Sequence, residues 1–377
     1  MSIIESEEGK TFQKLLLMGI AIALLAIITG AGGEFSAVVQ GQEIELEYAE
    51  NFEMEIVEEN IIWVEDGYGQ EFILAGEGED IPAEYDETPV IRTPVDNAMF
   101  TTSVHAALLR PLDVYDNIGA VTRDADGWHI DEMAEKIENE EITYVGDADS
   151  PDYELIEKVN PEVVLLTTPR YIDTMDKLNE LGFETFVVNA GYEHHPLARL
   201  ESIKILGALF DKLEEAENYF DSSLAELDDV IDRIPEDEER KVAIGRDFSG
   251  GPMIPEGGNY GAAKVELAGG DYAFSHIGED STGFVDIDME EFYREAVDAD
   301  LFIYNFTFIW EDSLEGLLET APVLEDVKAI QEENIWTYQD WFFQSADLTH
   351  EIIEDLAILL YPEVFEDREV RHYKPLR

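Results

Sequence analysis

Aromatic and polar side chains follow several predicted strands of this sequence directly. In parallel α/β sheets small molecules bind beyond the carboxyl ends of the strands, so residues at those ends are the first candidates for ligand contacts. Aromatic rings stack on flat ligands, and guanidinium groups pair with anionic groups. Each ring taken alone is also explained by packing within its own loop. The candidate residues are Trp128, His129, Arg170, Tyr171, Arg246, Phe248, Phe284, Asp340, Trp341 and Gln344.

Catalytic signatures are missing from the sequence. It contains no cysteine, which excludes a thiolate nucleophile, a zinc-thiolate site and a lipid-modified N-terminal cysteine. No serine stands in a Gly-x-Ser-x-Gly motif. The Gly-Lys-Thr at residues 9–11 is not a phosphate-binding loop, because the required earlier glycine is Ile4. We therefore predict no catalytic residues, no cofactor and no enzymatic activity.

The histidines are the remaining candidates for metal ligands. His105, His194, His195 and His276 lie at or near predicted loop ends, where three of them with a carboxylate would suffice for a mononuclear site. None forms a helical i, i+4 pair, and adjacent residues 194 and 195 point apart on most backbones. We predict no resident metal site, and keep direct capture of Zn or Mn by histidines as an alternative.

The charge of the chain excludes some partners. It carries 87 acidic and 23 basic residues, a net charge of −64, and the acids are spread over every segment. A nucleic-acid backbone would be repelled, so no nucleic-acid partner is expected. Such a surface is typical of proteins kept soluble in concentrated salt, where charges are screened within roughly 3 Å at 1 M. We predict a halophilic source.

An uncharged stretch near the N-terminus predicts export. Residues 15–31 read LLLMGIAIALLAIITGA, at the short limit of a membrane span and somewhat longer than the core of a usual signal peptide. The ten residues before Thr11 are not basic overall, whereas small residues after the stretch would permit cleavage. We assign residues 1–33 to a signal or membrane-anchor segment. The rest of the chain is expected outside the cytoplasmic membrane, anchored by this segment or released after processing.

The elements that must position the candidate residues alternate between strands and helices. Residues 34–89 are predicted to be an acidic, β-rich lead-in. Residues 90–196 and 236–377 each alternate strands with helices, which predicts a parallel sheet covered on both faces. Residues 197–235 carry one amphipathic pattern, and an unbroken helix of that length would span roughly 55 Å. The predicted fold is α/β, with two Rossmann-like lobes and parallel-rich sheets joined by one long helix.

The order and spacing of several segments resemble the substrate-binding proteins of ABC importers for iron-siderophores, haem and cobalamin. The resemblance covers residues 88–361. It rests on the segments LLRPLDVYDNIGAVT, SPDYELIEKVNPEVVLLTT, LNELGFETFVV, HHPLARLESIKILGALF, AAKVELAGGDYAF and VDIDMEEFYREAVDADLFIY.

The resemblance implies an extracytoplasmic receptor that captures an iron complex or related metal chelate and delivers it to an ABC permease. The chelate would be a siderophore, haem or corrinoid. The receptor would be a monomer, and its two lobes would close only modestly when the ligand binds. One surface glutamate on each lobe docks onto the permease in this family, and the matching residues are Glu154 and Glu290. Each lies in the first turn of a predicted helix, where the helix dipole favours a carboxylate. In so acidic a chain that placement is also unremarkable.

The chain departs from the family in its longer lead-in, its missing anchor cysteine and its few cationic candidates. The resemblance directs Asp340 and Gln344 toward the ligand, with Trp341 and Phe342 partly packing the loop. Arg170 and Arg246 are the best candidates to bind an anionic siderophore, whereas a tetrapyrrole or corrinoid needs mainly aromatic walls. The residues also leave open a chelatase-like enzyme on the same scaffold or a purely structural surface protein.

Overall fold

The computed structural model describes residues 42–235, 238–305 and 313–377. Three five-stranded sheets and one two-stranded ribbon organise these residues. The lead-in sheet has the order β1-β2-β3-β4-β5. Its strands are β1 Gln42–Glu43, β2 Glu53–Glu58, β3 Ile61–Glu65, β4 Glu71–Gly76 and β5 Val90–Thr93.

The N-lobe sheet is parallel throughout and has the order β10-β9-β6-β7-β8. Its strands are β6 Ala98–Phe100, β7 Ile118–Val121, β8 Thr143–Tyr144, β9 Val163–Leu166 and β10 Thr185–Val187. Around it lie the helices α1 Ser103–Leu109, α2 Asp131–Glu138, α3 Tyr153–Val159 and α4 Ile172–Leu181.

The C-lobe sheet has the order β13-β11-β15-β16-β17 and is parallel except for its last strand. Strands β12 and β14 form a separate antiparallel ribbon. The strands are β11 Arg240–Gly245, β12 Met253–Pro255, β13 Gly270–Tyr272, β14 Phe284–Asp286, β15 Leu301–Tyr304, β16 Ile335–Tyr338 and β17 Tyr373–Pro375. The helices are α8 Tyr260–Leu267, α9 Met289–Ala296, α10 Leu314–Thr320, α11 Lys328–Gln331 and α12 Thr349–Leu360.

The two α/β lobes with parallel-rich sheets confirm the predicted fold class. Strand β9, with all four residues buried, shows why the prediction works: apolar runs in central strands are covered on both faces. The boundary at residue 90 differs from the prediction. Strand β5 begins there but pairs with β4, so it belongs to the lead-in sheet.

The linking segment corrects the expectation of one unbroken helix. Three helices occupy it: α5 Pro196–Glu201, α6 Ile203–Leu209 and α7 Leu213–Ile231. The chain turns between α6 and α7, where Asp211 has a φ of 54° and the Lys212 N–H donates to the Gly207 carbonyl at 2.7 Å. A left-handed residue cannot continue an α-helix. Apolar periodicity runs through this turn because residues on both sides face the core.

Helix α7 nevertheless joins the two lobes. Its first half contributes Ala216 and Phe220 to the N-lobe core, and its second half contributes Leu227 and Val230 to the C-lobe core. One rigid element therefore takes part in both cores.

Buried carboxylates fasten the lead-in to the N lobe. Glu201 of α5 is fully buried and accepts the backbone N–H groups of residues 47–49 at 2.8–2.9 Å. It also pairs with Lys204 at 2.7 Å. Glu193 accepts the N–H groups of residues 50 and 51. The lead-in is thus held by charge-assisted hydrogen bonds in addition to apolar packing.

No helix in the described ranges combines the length and apolar character that a membrane span requires. The predicted export segment, residues 15–31, lies outside those ranges.

Candidate functional site

A cavity of about 400 Å³ opens at the carboxyl ends of the N-lobe strands. It is lined by residues of the loops that follow β6, β7 and β9, and by the last residue of β8. The lining residues that carry its chemistry are Thr101, Arg123, Trp128, Tyr144, Arg170 and Tyr171. The parallel topology brings them together because all these strands end at one edge of the sheet.

Two cations in this cavity lie against aromatic rings. The Arg170 guanidinium lies 5.2 Å from the Tyr171 ring centroid, and that of Arg123 lies 6.0 Å from Trp128. Neither arginine forms an ion pair within the described part of the chain. The lining also includes acids, among them Asp124, so the cavity presents both signs of charge.

A second, smaller cavity of about 120 Å³ lies at the carboxyl ends of the C-lobe strands. Its lining includes Arg246, whose guanidinium lies 3.9 Å from the Phe284 ring centroid. Lys264, from α8, is 6% exposed and places its Nζ 4.7 Å from the Tyr260 ring and 5.2 Å from the Phe342 ring. Burial, with a smaller contribution from the charge on Arg199, lowers the pKa of Lys264 to about 7.

The loop of residues 341–347 connects the two cavities. Phe342 and Phe343 line the C-lobe cavity. The Gln344 side chain accepts the His129 N–H at 2.9 Å and donates to the carbonyl of Gly127, which lines the N-lobe cavity, at 2.9 Å. This loop therefore lines the C-lobe cavity and is hydrogen-bonded to the N lobe.

A buried ion pair reinforces the same contact between the lobes. Arg110 donates two hydrogen bonds of 2.8 Å to Asp347, whose side chain is 1% exposed. Burial raises the pKa of Asp347 to about 6, although Arg110 opposes the rise. The Tyr219 hydroxyl of α7 donates to the Asp347 carbonyl at 3.1 Å. The loop, the N lobe and the linking helix are thus bonded at one point.

Five of the predicted ligand residues line the cavities. Trp128, Arg170 and Tyr171 line the N-lobe cavity, and Arg246 and Phe284 line the C-lobe cavity.

The other five predicted residues line neither cavity. Phe248 is 3% exposed and packs edge-on against Phe292 at 5.1 Å, so it is a core residue. Asp340 pairs with Lys374 at 2.7 Å. Trp341 is 41% exposed.

The expectation that Gln344 faces the ligand differs from its observed position. Both ends of its amide are bonded to the N-lobe backbone, and His129 contributes its N–H to one of these bonds.

Sequence reasoning missed Arg123, Tyr144 and Lys264. Arg123 is two residues beyond β7, and Tyr144 ends β8, so the rule that selected Arg170 would have found both. Lys264 gave no such signal, because a lysine within a predicted helix is normally exposed to solvent.

The histidines are dispersed. Among the residues that the structure describes, no group of three or more His, Cys, Asp or Glu side chains is arranged to hold a metal ion. His105 is buried with its Nε2 3.0 Å from the Val188 carbonyl. His195 caps α5, where its Nδ1 accepts the Leu197 N–H at 3.2 Å.

The fold and its cavities are those of a bilobal binding protein. Residues 110–340 match the family described as periplasmic binding protein, and the chain belongs to that family. An uncharacterized lipoprotein of Methanocaldococcus jannaschii is 29% identical over 323 residues, which cover 82% of this chain and 76% of the relative.

Solved structures show the same fold at low sequence identity. A possible iron-binding periplasmic solute-binding protein of Staphylococcus epidermidis has a TM-score of 0.58 and 14% identity, covering 71% of this chain and 100% of its own. The molybdate-binding protein of a Haemophilus influenzae ABC transporter has a TM-score of 0.58 and 14% identity, covering 74% and 90%. The predicted resemblance to the receptors of iron, haem and cobalamin importers is confirmed. The family consists of binding proteins that work with ABC permeases.

Proposed function

We propose that this protein captures an anionic metal chelate between its two lobes and delivers it to an ABC permease outside the cytoplasmic membrane. The chelate is an iron complex of a siderophore, or a haem or corrinoid with acidic side chains. The protein acts as a monomer and catalyses no reaction.

The observation that supports this ligand is the placement of the basic residues. The chain has 23 bases for 87 acids, yet Arg123, Arg170, Arg246 and Lys264 line the two cavities without an ion pair among the described residues. A cation that forms no ion pair with the described residues of so acidic a protein supports an anionic ligand as its partner. Aromatic rings beside each cation add surfaces on which a flat or bulky chelate packs.

The size of the N-lobe cavity agrees with a small molecule. Its volume of about 400 Å³ lies within the usual range of ligand pockets, roughly 300–1,000 Å³.

Absorption spectroscopy and mass spectrometry of protein from its own host test the ligand class directly. A coloured, stoichiometric chelate is expected. Stoichiometric colourless Zn or Mn would instead establish direct metal capture by histidines, and turnover of a porphyrin would establish a chelatase.

Titration of the tryptophan fluorescence with a ferric tricatecholate, an anionic siderophore complex, tests the residues. Arg170→Gln and Arg246→Gln are each expected to weaken binding about tenfold, the loss of one charge-assisted contact. Lys177→Gln, which removes an exposed ion-paired lysine of α4, serves as the control. Unchanged affinity in both arginine variants contradicts the proposed site.

The permease contact is proposed at Glu154 and Glu290. Both are exposed in the first turns of α3 and α9, behind the N-caps Asp152 and Asp288. Reversing both charges to lysine is expected to abolish transport into vesicles carrying the permease while chelate binding stays intact. Transport that survives the double reversal would exclude this docking surface.

A further inference from the structure

The C-lobe cavity contains a cation, Lys264, that no acid among the described residues neutralises. Lys264 is 6% exposed, lines this cavity, and forms no hydrogen bond or ion pair with the described residues. Among the described residues no carboxylate contributes to its pKa, and the causes of the lowered pKa are its burial and the like charge of Arg199. In a chain with 87 acids, the absence of an acid from the described lining of this cavity supports a position kept open for a separate anion.

The remaining polar lining is rich in hydrogen-bond donors. Tyr260, Tyr338 and Tyr373 line the same cavity. Burial raises the pKa of Tyr338 and of Tyr373 well above that of a free tyrosine, so both hydroxyls keep their protons. Asn305 also lines the cavity, and its buried Oδ1 finds no hydrogen-bond donor among the described residues. Turning this amide by half a rotation presents its NH₂ group to the cavity.

The volume of the cavity limits its occupant. About 120 Å³ holds roughly four groups of water size, at about 30 Å³ each. A carboxylate or a halide ion fits, whereas a whole metal chelate does not. The cavity is therefore suited to one anionic group and distinct in size from the N-lobe cavity of about 400 Å³.

We propose that the C-lobe cavity binds a single anionic group of carboxylate size, held by the Lys264 ammonium and the surrounding tyrosine hydroxyls. In the main form of this proposal, the anionic group is a free carboxylate arm of the captured chelate. That form rests on the proposed function. The same chemistry accepts a free halide, which is the second source of the anion. Lys264 is then a specificity-determining residue that selects chelates with an uncoordinated acid group.

Binding of the anion depends on pH in a defined direction. The ammonium is charged below about pH 7 and neutral above it, so affinity falls as pH rises through 7. The other charged groups near Lys264 among the described residues are Arg199 of α5 and Arg246 beyond β11. The titratable groups are Tyr260 of α8, Tyr338 of β16 and Tyr373 of β17.

The test uses two ferric trihydroxamate complexes that differ in one group. One carries a free terminal carboxylate and the other carries the corresponding primary amide. Wild-type protein is expected to bind the carboxylate form about tenfold more tightly at pH 6, and this preference is expected to shrink at pH 8.5. Lys264→Met keeps the length and removes the charge, and should bind both forms equally. Lys158→Met, an exposed lysine of α3, is the control.

A second measurement covers the halide source and does not depend on the chelate. Crystals soaked in bromide are examined by anomalous diffraction, with a peak expected beside Lys264 in the wild type and none in Lys264→Met. A bromide peak without a carboxylate preference assigns the site to free halide.

The two measurements separate the site from the proposed function. No preference and no bromide peak overturns the site, as does a preference that survives in Lys264→Met. Failure of both ferric complexes to bind excludes a trihydroxamate siderophore as the captured chelate, whereas the bromide result still decides the site. Circular dichroism of each variant establishes that it is folded.

Discussion

Individual buried residues in this protein depart strongly from their ordinary chemistry, and His105 is a clear case. It is completely buried, and burial lowers its pKa from 6.5 to about 4, although the bond to the Val188 carbonyl opposes the shift. From the sequence, His105 is a candidate metal ligand near a loop end. The structure places it in α1, a helix that the apolar sequence pattern did not indicate. Its ring forms a hydrogen bond that joins α1 to Val188, the residue that follows β10.

The shifted pKa of His105 predicts acid sensitivity. The unfolded chain takes up a proton near pH 6.5 while the folded state resists it, so the stabilising contribution is complete above pH 6.5 and lost as pH falls toward 4. The loss is roughly 3 kcal/mol. His105→Gln preserves a donor to Val188 and removes the titration. Urea unfolding from pH 7 to pH 4 should therefore show a shallower decline in the variant, and parallel declines would contradict this assignment.

At the scale of elements, the predicted alternation of strands and helices is present in both lobes. Helix α2, Asp131–Glu138, shows why the alternation is readable, because its charged face and apolar stripe recur with helical period. The ribbon of β12 and β14 was not predicted, since its three-residue strands carry too few positions to show a period. The break before α7 was not predicted, because apolar periodicity indicates which residues are buried. It does not indicate whether the helical backbone hydrogen bonds are continuous.

Glu201 is expected to be required for stable packing of the lead-in sheet against the N lobe. Glu201→Gln removes the charge that three backbone N–H groups share and leaves Lys204 buried without its partner. We expect a loss of about 3 kcal/mol in the free energy of unfolding, together with faster proteolysis within residues 42–93. Limited proteolysis followed by mass spectrometry locates the cuts. Glu215→Gln, at an exposed site of α7, should change neither quantity; equal protease resistance in Glu201→Gln would show that apolar packing alone holds the sheet.

At the scale of the whole molecule, the loop of residues 341–347 and helix α7 connect the lobes. The loop contributes Gln344 and Asp347, and the helix contributes Tyr219. These bonds, together with a helix shared by both cores, favour modest closure around a ligand, as the resemblance implied. A large change in the scattering curve on removal of the ligand would contradict that expectation.

The net charge of −64 predicts that stability depends on salt. Most acids cannot find a basic partner, so their mutual repulsion is relieved mainly by dissolved ions. The unfolding free energy is expected to fall by several kcal/mol when KCl is lowered from about 2 M to about 0.1 M. Sucrose at equal osmolality, which does not screen charge, should fail to restore it. Full stability in dilute buffer would contradict a halophilic source.

The sequence by itself predicted the two α/β lobes and the family, and five of its ten proposed ligand residues line the two cavities. Apolar periodicity indicates which residues are buried. Parallel strands place the residues that follow them at one edge of the sheet. Only the tertiary structure decided that Phe248 is a core residue, that Gln344 bonds the opposite lobe, and that Lys264 lines the C-lobe cavity. These depend on which side chains meet across distant segments, such as Gln344 with Gly127. The spacing of residues along the sequence does not specify which distant residues come into contact. These partners are therefore known only from the folded structure.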